Sequence, residues 1–299
     1  MNILVTGGTG LIGQALIKRL NAQNAFVTVL TRNTSKAKKI FNQKVNFIEK
    51  LSLEIIESTD VIINFAGEPI ANKRWSASQK TKICQSRWQV TEQLTQLIKQ
   101  ANLPPSLFIS GSAIGVYGAG SNQPINEDFM DFHPEFTHTV CSHWEQKALD
   151  ACSDKTRVVL LRTGIVLANN GGAISKMLLP FKLGLGGMIG DGKQFMSWIH
   201  IDDMVSAILY IKDQQDIVGA VNLTAPNAVS NDEFSHSLAK QLKRPCFFTT
   251  PKWLLKFLLG EMSGLLVNGQ NVVPTKLISS GFIFKYPKLE QALKDLFNQ

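Results

Sequence analysis

Residues 3–13 read ILVTGGTGLIG. The run ILVTGG (3–8) has the composition of a buried strand, and Leu11–Leu20 repeats its apolar residues at helical spacing. Between them stand Gly7, Gly10 and Gly13 in a Gly-x-x-Gly-x-x-Gly pattern. A bare glycine triplet says little. Placed between a first strand and a first helix, it permits a tight turn and lets backbone N–H groups approach a pyrophosphate, which the helix dipole favours. This stretch therefore predicts a parallel α/β sheet with a dinucleotide at its first turn.

The pattern repeats outward. AFVTVLTR (25–32), VNFIEK (45–50), DVIINFAG (60–67), SLFISGS (106–112) and TRVVLLRTG (156–164) read as strands, and Gln79–Gln100 as a long helix. Runs such as DVIINFAG are almost continuously apolar, as strands covered on both faces must be. Alternating strands and helices predict a doubly wound parallel sheet with helices on both faces. After residue 165 the pattern changes. Residues 166–200 are glycine-rich and loop-like, 203–212 and 231–242 read as helices, and 220–224 as a strand. The apolar stretch Pro251–Leu266 is interrupted by Gly260 and Gly264, which predicts a packed helix pair. The expectation is a dinucleotide-binding domain over 1–165 with a return segment at 200–224, and a smaller C-terminal substrate domain over 166–299.

Composition excludes other classes. The 299 residues are 44% hydrophobic and 18% charged, so the chain can bury a core. A formal net charge of +8 comes without a run of five like charges. Arg32, Lys36, Lys38 and Lys39 are too few for a nucleic-acid face. Cys84, Cys141, Cys152 and Cys246 are scattered and form no Cys-x-x-Cys pair, which suits reduced thiols in the cytoplasm. A strand begins at once after Met1, with no basic region or cleavage site before it, so no secretory leader is expected. No apolar run reaches the roughly 18 residues of a membrane helix.

The second strand identifies the dinucleotide. An acidic residue at its end would bind the ribose hydroxyls of NAD, but the chain has Thr31-Arg32-Asn33 there. The planar fork of Arg32 suits a 2′-phosphate, so NADP(H) is the expected cofactor, with Lys36 a weaker helper.

TGGTGLIG (6–13), NFAG (64–67) and ISGSAIGVYG (109–118) resemble the extended short-chain dehydrogenase/reductase superfamily. GEPIANKRW (67–75), LRTGIVL (161–167), GDGKQFMSWIHIDDM (190–204) and VVPTKLISSGFIFKYPKLEQAL (272–293) are similar to its atypical subgroup called "epimerase family protein", whose members often carry a nucleoside-diphosphate-sugar epimerase label. The resemblance spans the chain. It implies a Rossmann domain with a smaller substrate domain facing the cofactor cleft. By position, Gly7, Thr9, Gly10, Leu11, Ile12 and Gly13 would line the pyrophosphate. Ala66 and Gly67 would pass the adenosine-side ribose, and Thr163 and Gly164 would lie near the nicotinamide.

Most of that superfamily uses a Tyr-x-x-x-Lys pair on the helix after the fifth strand, the tyrosine exchanging a proton with substrate. This chain has three tyrosines, Tyr117, Tyr210 and Tyr286, followed four residues on by Ser121, Gln214 and Glu290. The pair is absent. In the stretch FTHTVCSHWEQKAL (136–149), alignment puts Val140 at the tyrosine position and Trp144 at the lysine position. Cys141, Trp144 and Glu145 match the subgroup's Cys-x-x-Trp-Glu. His138, Cys141, His143 and Glu145 share no common helical face and match no recurrent zinc spacing, so no metal site is expected. In this register His143 faces the cleft and is a candidate substitute acid/base, against the better-supported reading of a partly exposed helix histidine. Ser112 keeps the assisting-serine position, with Ser110 as the alternative. Lys73, Arg74 and Trp75 are candidates for an anionic or planar substrate, against a solvated loop with a buried Trp. His200, Asp202 and Asp203 read better as packing and capping residues than as catalysts. Two functions stay open: an NADP(H)-binding oxidoreductase or epimerase-like enzyme of unknown substrate, and a non-catalytic NADP(H)-binding regulator or redox sensor.

Overall fold

The computed structural model describes residues 1–41, 45–169 and 171–297. Strand β1 (Asn2–Thr6) leads through the glycine loop into helix α1 (Leu11–Ala22). Helix α1 buries Gly13, Leu16, Ile17 and Leu20, one stripe at helical spacing. Then follow β2 (Phe26–Leu30), α2 (Thr34–Ile40), β3 (Val45–Ile48), α3 (Leu53–Glu57) and β4 (Val61–Asn64). Asn33 starts α2 by accepting the Lys36 N–H at 2.8 Å, and Ser52 starts α3 in the same way. Helix α4 (Ala77–Gln100), capped by Ser76, precedes β5 (Leu107–Ala113), and α5 (Phe136–Leu149) follows it.

Seven strands form one sheet in the order Gly219–Leu223, Arg157–Thr163, β5, β4, β1, β2, β3. Every pairing in it is parallel. The chain winds outward from β1 through β2 to β3, then crosses to β4 and β5 on the other side. That reversal opens a crevice beyond the carboxyl ends of β1 and β4, where sheets of this kind hold ligands. Strand residues alternate between two cores. Ile3, Val5, Ile63 and Ile109 pack with α1 and with Met204 and Ile208 of the helix Ile201–Asp213. Leu4, Ile62 and Phe108 pack with Leu94, Ile98 and Ala148 of α4 and α5.

A third core joins Leu167, Ile174, Phe181, Trp198, Phe234, Leu238 and Leu293. It corrects the reading of 166–200 as loop. Helix Gly172–Lys182 lies there, burying Ile174 and Phe181, with short strands at Gly187–Ile189 and Trp198–His200. Flanking glycines and Pro180 inside the helix hid its periodicity. In the apolar stretch after Pro251, helix Lys252–Leu259 turns at Gly260 (φ 60°) into a 3₁₀ turn and the short helix Gly264–Val267. The helix buries none of its residues; Trp253, Phe257 and Leu258 are exposed. Hydrophobic content alone did not guarantee cover there. Among the described residues no helix is long and apolar enough to cross a membrane.

The C-terminal segment is tied down by one buried carboxylate. Asp203 is 1% exposed and accepts the backbone N–H groups of Lys285 (2.8 Å) and Tyr286 (2.9 Å). These bonds dock Phe282 and Phe284 on the first core and the helix Leu289–Phe297 on the third. Asp203→Ala leaves both amides without an acceptor. It is expected to cost about 2–4 kcal/mol in urea unfolding, whereas an unchanged midpoint would contradict this anchoring role.

Candidate active site

The glycine loop closes by a bond from the Gly10 N–H to the Gly7 carbonyl at 3.0 Å. Gly7 has φ 65°, and a Cβ there would sit 2.4 Å from the Phe65 carbonyl oxygen. A Cβ at Gly13 would sit 2.6 Å from the Gly7 oxygen. Larger residues would push the loop off the β4 end or α1 off the loop. Gly10 caps α1 without a side chain, and no acidic residue lies in the first turn. The first N–H groups of α1 thus keep their capacity for an anion. Thr9, Leu11 and Ile12 flank this turn half-buried, and Leu11 touches the loop at Gly171–Gly172.

A buried hub fixes the strand ends around this loop. Thr6 Oγ1 donates to Asn64 Oδ1 (2.6 Å), and Asn64 Nδ2 donates to Thr91 Oγ1 (2.8 Å) and Ser110 Oγ (3.3 Å). The Ala66 N–H donates back to Thr6 Oγ1 at 3.1 Å. β1, β4, β5 and α4 meet in these contacts, and Ala66 and Gly67 leave β4 directly above them. Ser110 belongs to the hub, which leaves Ser112 as the serine at the strand end. Arg32 is exposed at the end of β2 and has no ion-pair partner among the described residues.

On the α5 side a second network runs through the core. Ser112 Oγ donates to Glu145 Oε1 at 2.6 Å. Arg162 grips the same carboxylate with two bonds of 2.9 Å and donates to the Tyr117 hydroxyl at 3.0 Å. Tyr117 donates to Asn222 Oδ1 at 2.7 Å. All five residues are buried. Burial pushes the Tyr117 phenol up. Burial and the Glu145 carboxylate push the Cys141 thiol up to about 12. The tyrosine and cysteine nearest Ser112 are therefore neutral at ordinary pH, and Glu145 is held by Arg162.

His143 does not face the cleft as the sequence register implied. It is exposed on the outer seam of α4 and α5, its ring 4.9 Å from that of Trp88 and its Nδ1 bonded to the Thr139 carbonyl of its own helix at 2.9 Å. The buried face of α5 carries Val140, Cys141, Trp144 and Glu145, and His143 lies off that face. Val140 packs with Ile83 and Cys84. Trp144 lies so close to Gly111 that a Cβ there would meet its ring at 2.7 Å.

The loop after β4 divides its candidates. Trp75 is half-buried against Phe136, ring centroids 4.8 Å apart, and donates its N–H to the Ile70 carbonyl, which makes it part of the wall. Arg74 reaches the second lobe, its guanidinium beside Gly260. Lys73 is exposed. Lys80 on α4 pairs with Glu261 at 2.5 Å, and Lys176 donates to Asn72 Oδ1 of this loop at 2.8 Å, so the loop and the start of α4 are tied to the segments around residues 176 and 261. At the far end of the crevice Gly164 is wedged against the Ser197 carbonyl, 2.5 Å from where a Cβ would lie, and Thr163 turns its hydroxyl back to Leu161.

His200, Asp202 and Asp295 bring ligand-type atoms within 4.8 Å of one another. The Asp202 N–H donates to His200 Nδ1 at 3.1 Å, so Nδ1 carries the lone pair and Nε2 the proton. That proton faces Asp295 at 3.5 Å. The same atom cannot then ligate a cation, and the cluster serves as a helix cap.

The matched family model, the NAD dependent epimerase/dehydratase family, covers residues 3–223, and a domain of unknown function (DUF1731) covers 250–296. The chain is 38% identical over 295 residues to an epimerase family protein of Staphylococcus saprophyticus, covering 98% of each. It is 36% identical to one of Staphylococcus haemolyticus, covering 99% of this chain and 98% of that one. The chain belongs to the epimerase family. Human epimerase family protein SDR39U1, solved with NADPH, superposes with a TM-score of 0.89 at 31% identity over the whole of both chains. Within this extended short-chain dehydrogenase/reductase fold, the sequence reading missed Asn64, Arg162 and Glu145 as organising residues. An arginine inside the apolar strand VVLLRTG was the available signal for Arg162.

Two outcomes follow from this geometry. Arg162→Met strands the buried Glu145 and is expected to cost about 3–5 kcal/mol, while the Glu145→Met/Arg162→Met double variant loses less than either single change. Additive losses in denaturant unfolding would show the pair is not coupled. Burial and the Glu145 carboxylate keep the Cys141 thiol protonated at pH 8. A thiol reagent at that pH should label exposed Cys152 quickly and Cys141 only after unfolding.

Proposed function

We propose that this epimerase family chain binds NADP(H) across the carboxyl ends of its sheet and acts as an oxidoreductase of unknown substrate without tyrosine acid/base chemistry. The observation that carries the reading is the first turn: a glycine cradle that admits no Cβ, opening onto an uncapped helix N-terminus, with Arg32 at the adjacent strand end. The residues fit the cofactor. The turn Gly7–Gly13 would hold the pyrophosphate, Ala66 and Gly67 the adenosine-side ribose, Arg32 the 2′-phosphate, and Thr163 and Gly164 the nicotinamide side. NADPH in the human relative supports the phosphorylated form. When bound, the cofactor supplies or accepts hydride.

The chain's own residues set what else happens. Ser112 has its hydrogen directed at Glu145, so its remaining capacity toward a substrate is as an acceptor, which suits an alcohol better than a carbonyl. Val140 and Trp144 offer no proton. Lys73 is free to meet an anionic group at the rim of the crevice. A regulator or redox sensor is the second reading, favoured by that apolar α5 face. Reduction of NADP⁺ dependent on an added alcohol substrate would support the enzyme; tight binding without turnover across broad substrate panels would support the sensor.

Fluorescence titration should give tighter binding of NADPH than NADH. Arg32→Ala should weaken NADPH about 10–100-fold, the loss of 1.5–3 kcal/mol expected for charge-assisted hydrogen bonds, and spare NADH. Equal affinity of the unmodified chain for both would overturn the assignment. UDP-galactose should not be epimerised above background, since 4-keto chemistry needs a base for the hydroxyl proton.

A further inference from the structure

Arg87 lies on α4, one turn before the Thr91 hydroxyl that Asn64 holds; that hydroxyl in turn donates to the Arg87 carbonyl at 2.8 Å. Its guanidinium is half-buried. Nη1 donates to two backbone carbonyls, Glu68 at 3.0 Å and Ile83 at 2.9 Å. Carbonyls are neutral, and no carboxylate forms an ion pair with Arg87 among the described residues. No acceptor for Nε or Nη2 is found among them either. Desolvation holds the group below the usual arginine range, and the Glu68 carboxylate offsets this only in part.

The surroundings indicate what completes it. The guanidinium lies against the backbone leaving β4, 2.9 Å from where a Gly67 Cβ would be. It also lies 5.3 Å from the Trp144 ring centroid. Trp144 Nε1 is itself buried without an acceptor. Two donors with no acceptor thus stand side by side. The same β4 exit touches the glycine loop, since Gly7 abuts Phe65 and Ala66. Only the step from Ala66 to Gly67 separates the backbone at the pyrophosphate turn from the backbone at Arg87. The sheet order β5, β4, β1, β2 puts Arg32 and Arg87 on opposite sides of that turn. Helix α5 brings no cation to this point: Trp144 faces it, and Lys147 pairs with Glu92 at 3.1 Å.

We infer that Arg87 is a binding residue for the nicotinamide-side phosphate of the dinucleotide, supplying from α4 the positive charge that α5 lacks. The inference rests on the NADP(H) reading above. A phosphate oxygen at Nη2 and Nε would supply the missing acceptors and the missing counter-charge together, in the planar fork geometry arginine offers. Gly67 then has a specific reason to be glycine: any side chain there would displace the guanidinium.

The test compares three ligands by calorimetry: NADPH, 2′-phospho-ADP-ribose, which keeps both bridging phosphates, and adenosine 2′,5′-bisphosphate, which lacks the nicotinamide-side phosphate. Arg87→Gln, which can still donate to a carbonyl, should weaken the first two by about 10–100-fold and leave the third within about twofold. Arg87→Lys should recover part of the loss. The melting temperature of the ligand-free Arg87→Gln protein should be unchanged or higher, because an only partly compensated cation has been removed. Undiminished binding of 2′-phospho-ADP-ribose by Arg87→Gln overturns the inference while leaving the cofactor assignment standing. Equal loss of all three ligands with a lowered melting temperature assigns Arg87 to the scaffold and also overturns it. Failure of the unmodified protein to bind any of the three defeats the cofactor reading itself.

Discussion

The bidentate pair between Glu145 and Arg162 sets the position of α5 on the sheet. Two charges in a dry interior are tolerated only with close geometry and further hydrogen bonds, which Ser112 and Tyr117 supply. Arg162 comes from the strand Arg157–Thr163, Ser112 from β5 and Glu145 from α5, so one carboxylate fixes three elements at once. With α5 held in this way, Val140 is buried against α4 and Trp144 against Gly111 of β5, while His143 is exposed beside Trp88. The chemistry available at the strand ends follows from that clamp.

The opposite half of the crevice is governed by backbone approach. Gly7 and Gly13 lie where any Cβ would strike a carbonyl, and Asn64 draws the ends of β1, β4 and β5 together beneath them. This half is a close-packed turn that opens onto the N-terminus of α1, which no side chain caps. The α5 half is apolar and pair-locked, with the Cys141 and Tyr117 protons held in place by burial. Under the proposed cofactor reading, binding and proton transfer, which many short-chain dehydrogenases place on one helix, would be separated: cations would come from β2 and α4, and the remaining hydroxyl from β5.

Much of the fold was legible because its signals are local. A glycine loop between a strand and a helix, and strands apolar on both faces, can each be read from a few consecutive residues. The helix Gly172–Lys182 was not, since only two of its side chains are buried and glycines surround it. Exposure of Trp253 and Phe257 could not be read from composition, which reports apolar content and not what covers it. At the site, Arg32 and Ser112 were visible from their places at strand ends. Glu145, Arg162 and Arg87 depend on contacts between residues 17 to 33 apart or across α4 and the β4 exit, which no short window contains. His143 was misplaced because helical periodicity gives the angle between residues but not which face the sheet takes.

A crystal structure of the protein with NADPH addresses the central claim directly. The account predicts the pyrophosphate at the N-terminus of α1, the 2′-phosphate at Arg32, and Arg87 within hydrogen-bond distance of the nicotinamide-side phosphate, with the Glu145–Arg162 pair unmoved. A dinucleotide seated elsewhere, or bound at the crevice with α5 rotated to bring His143 to the nicotinamide, would contradict it.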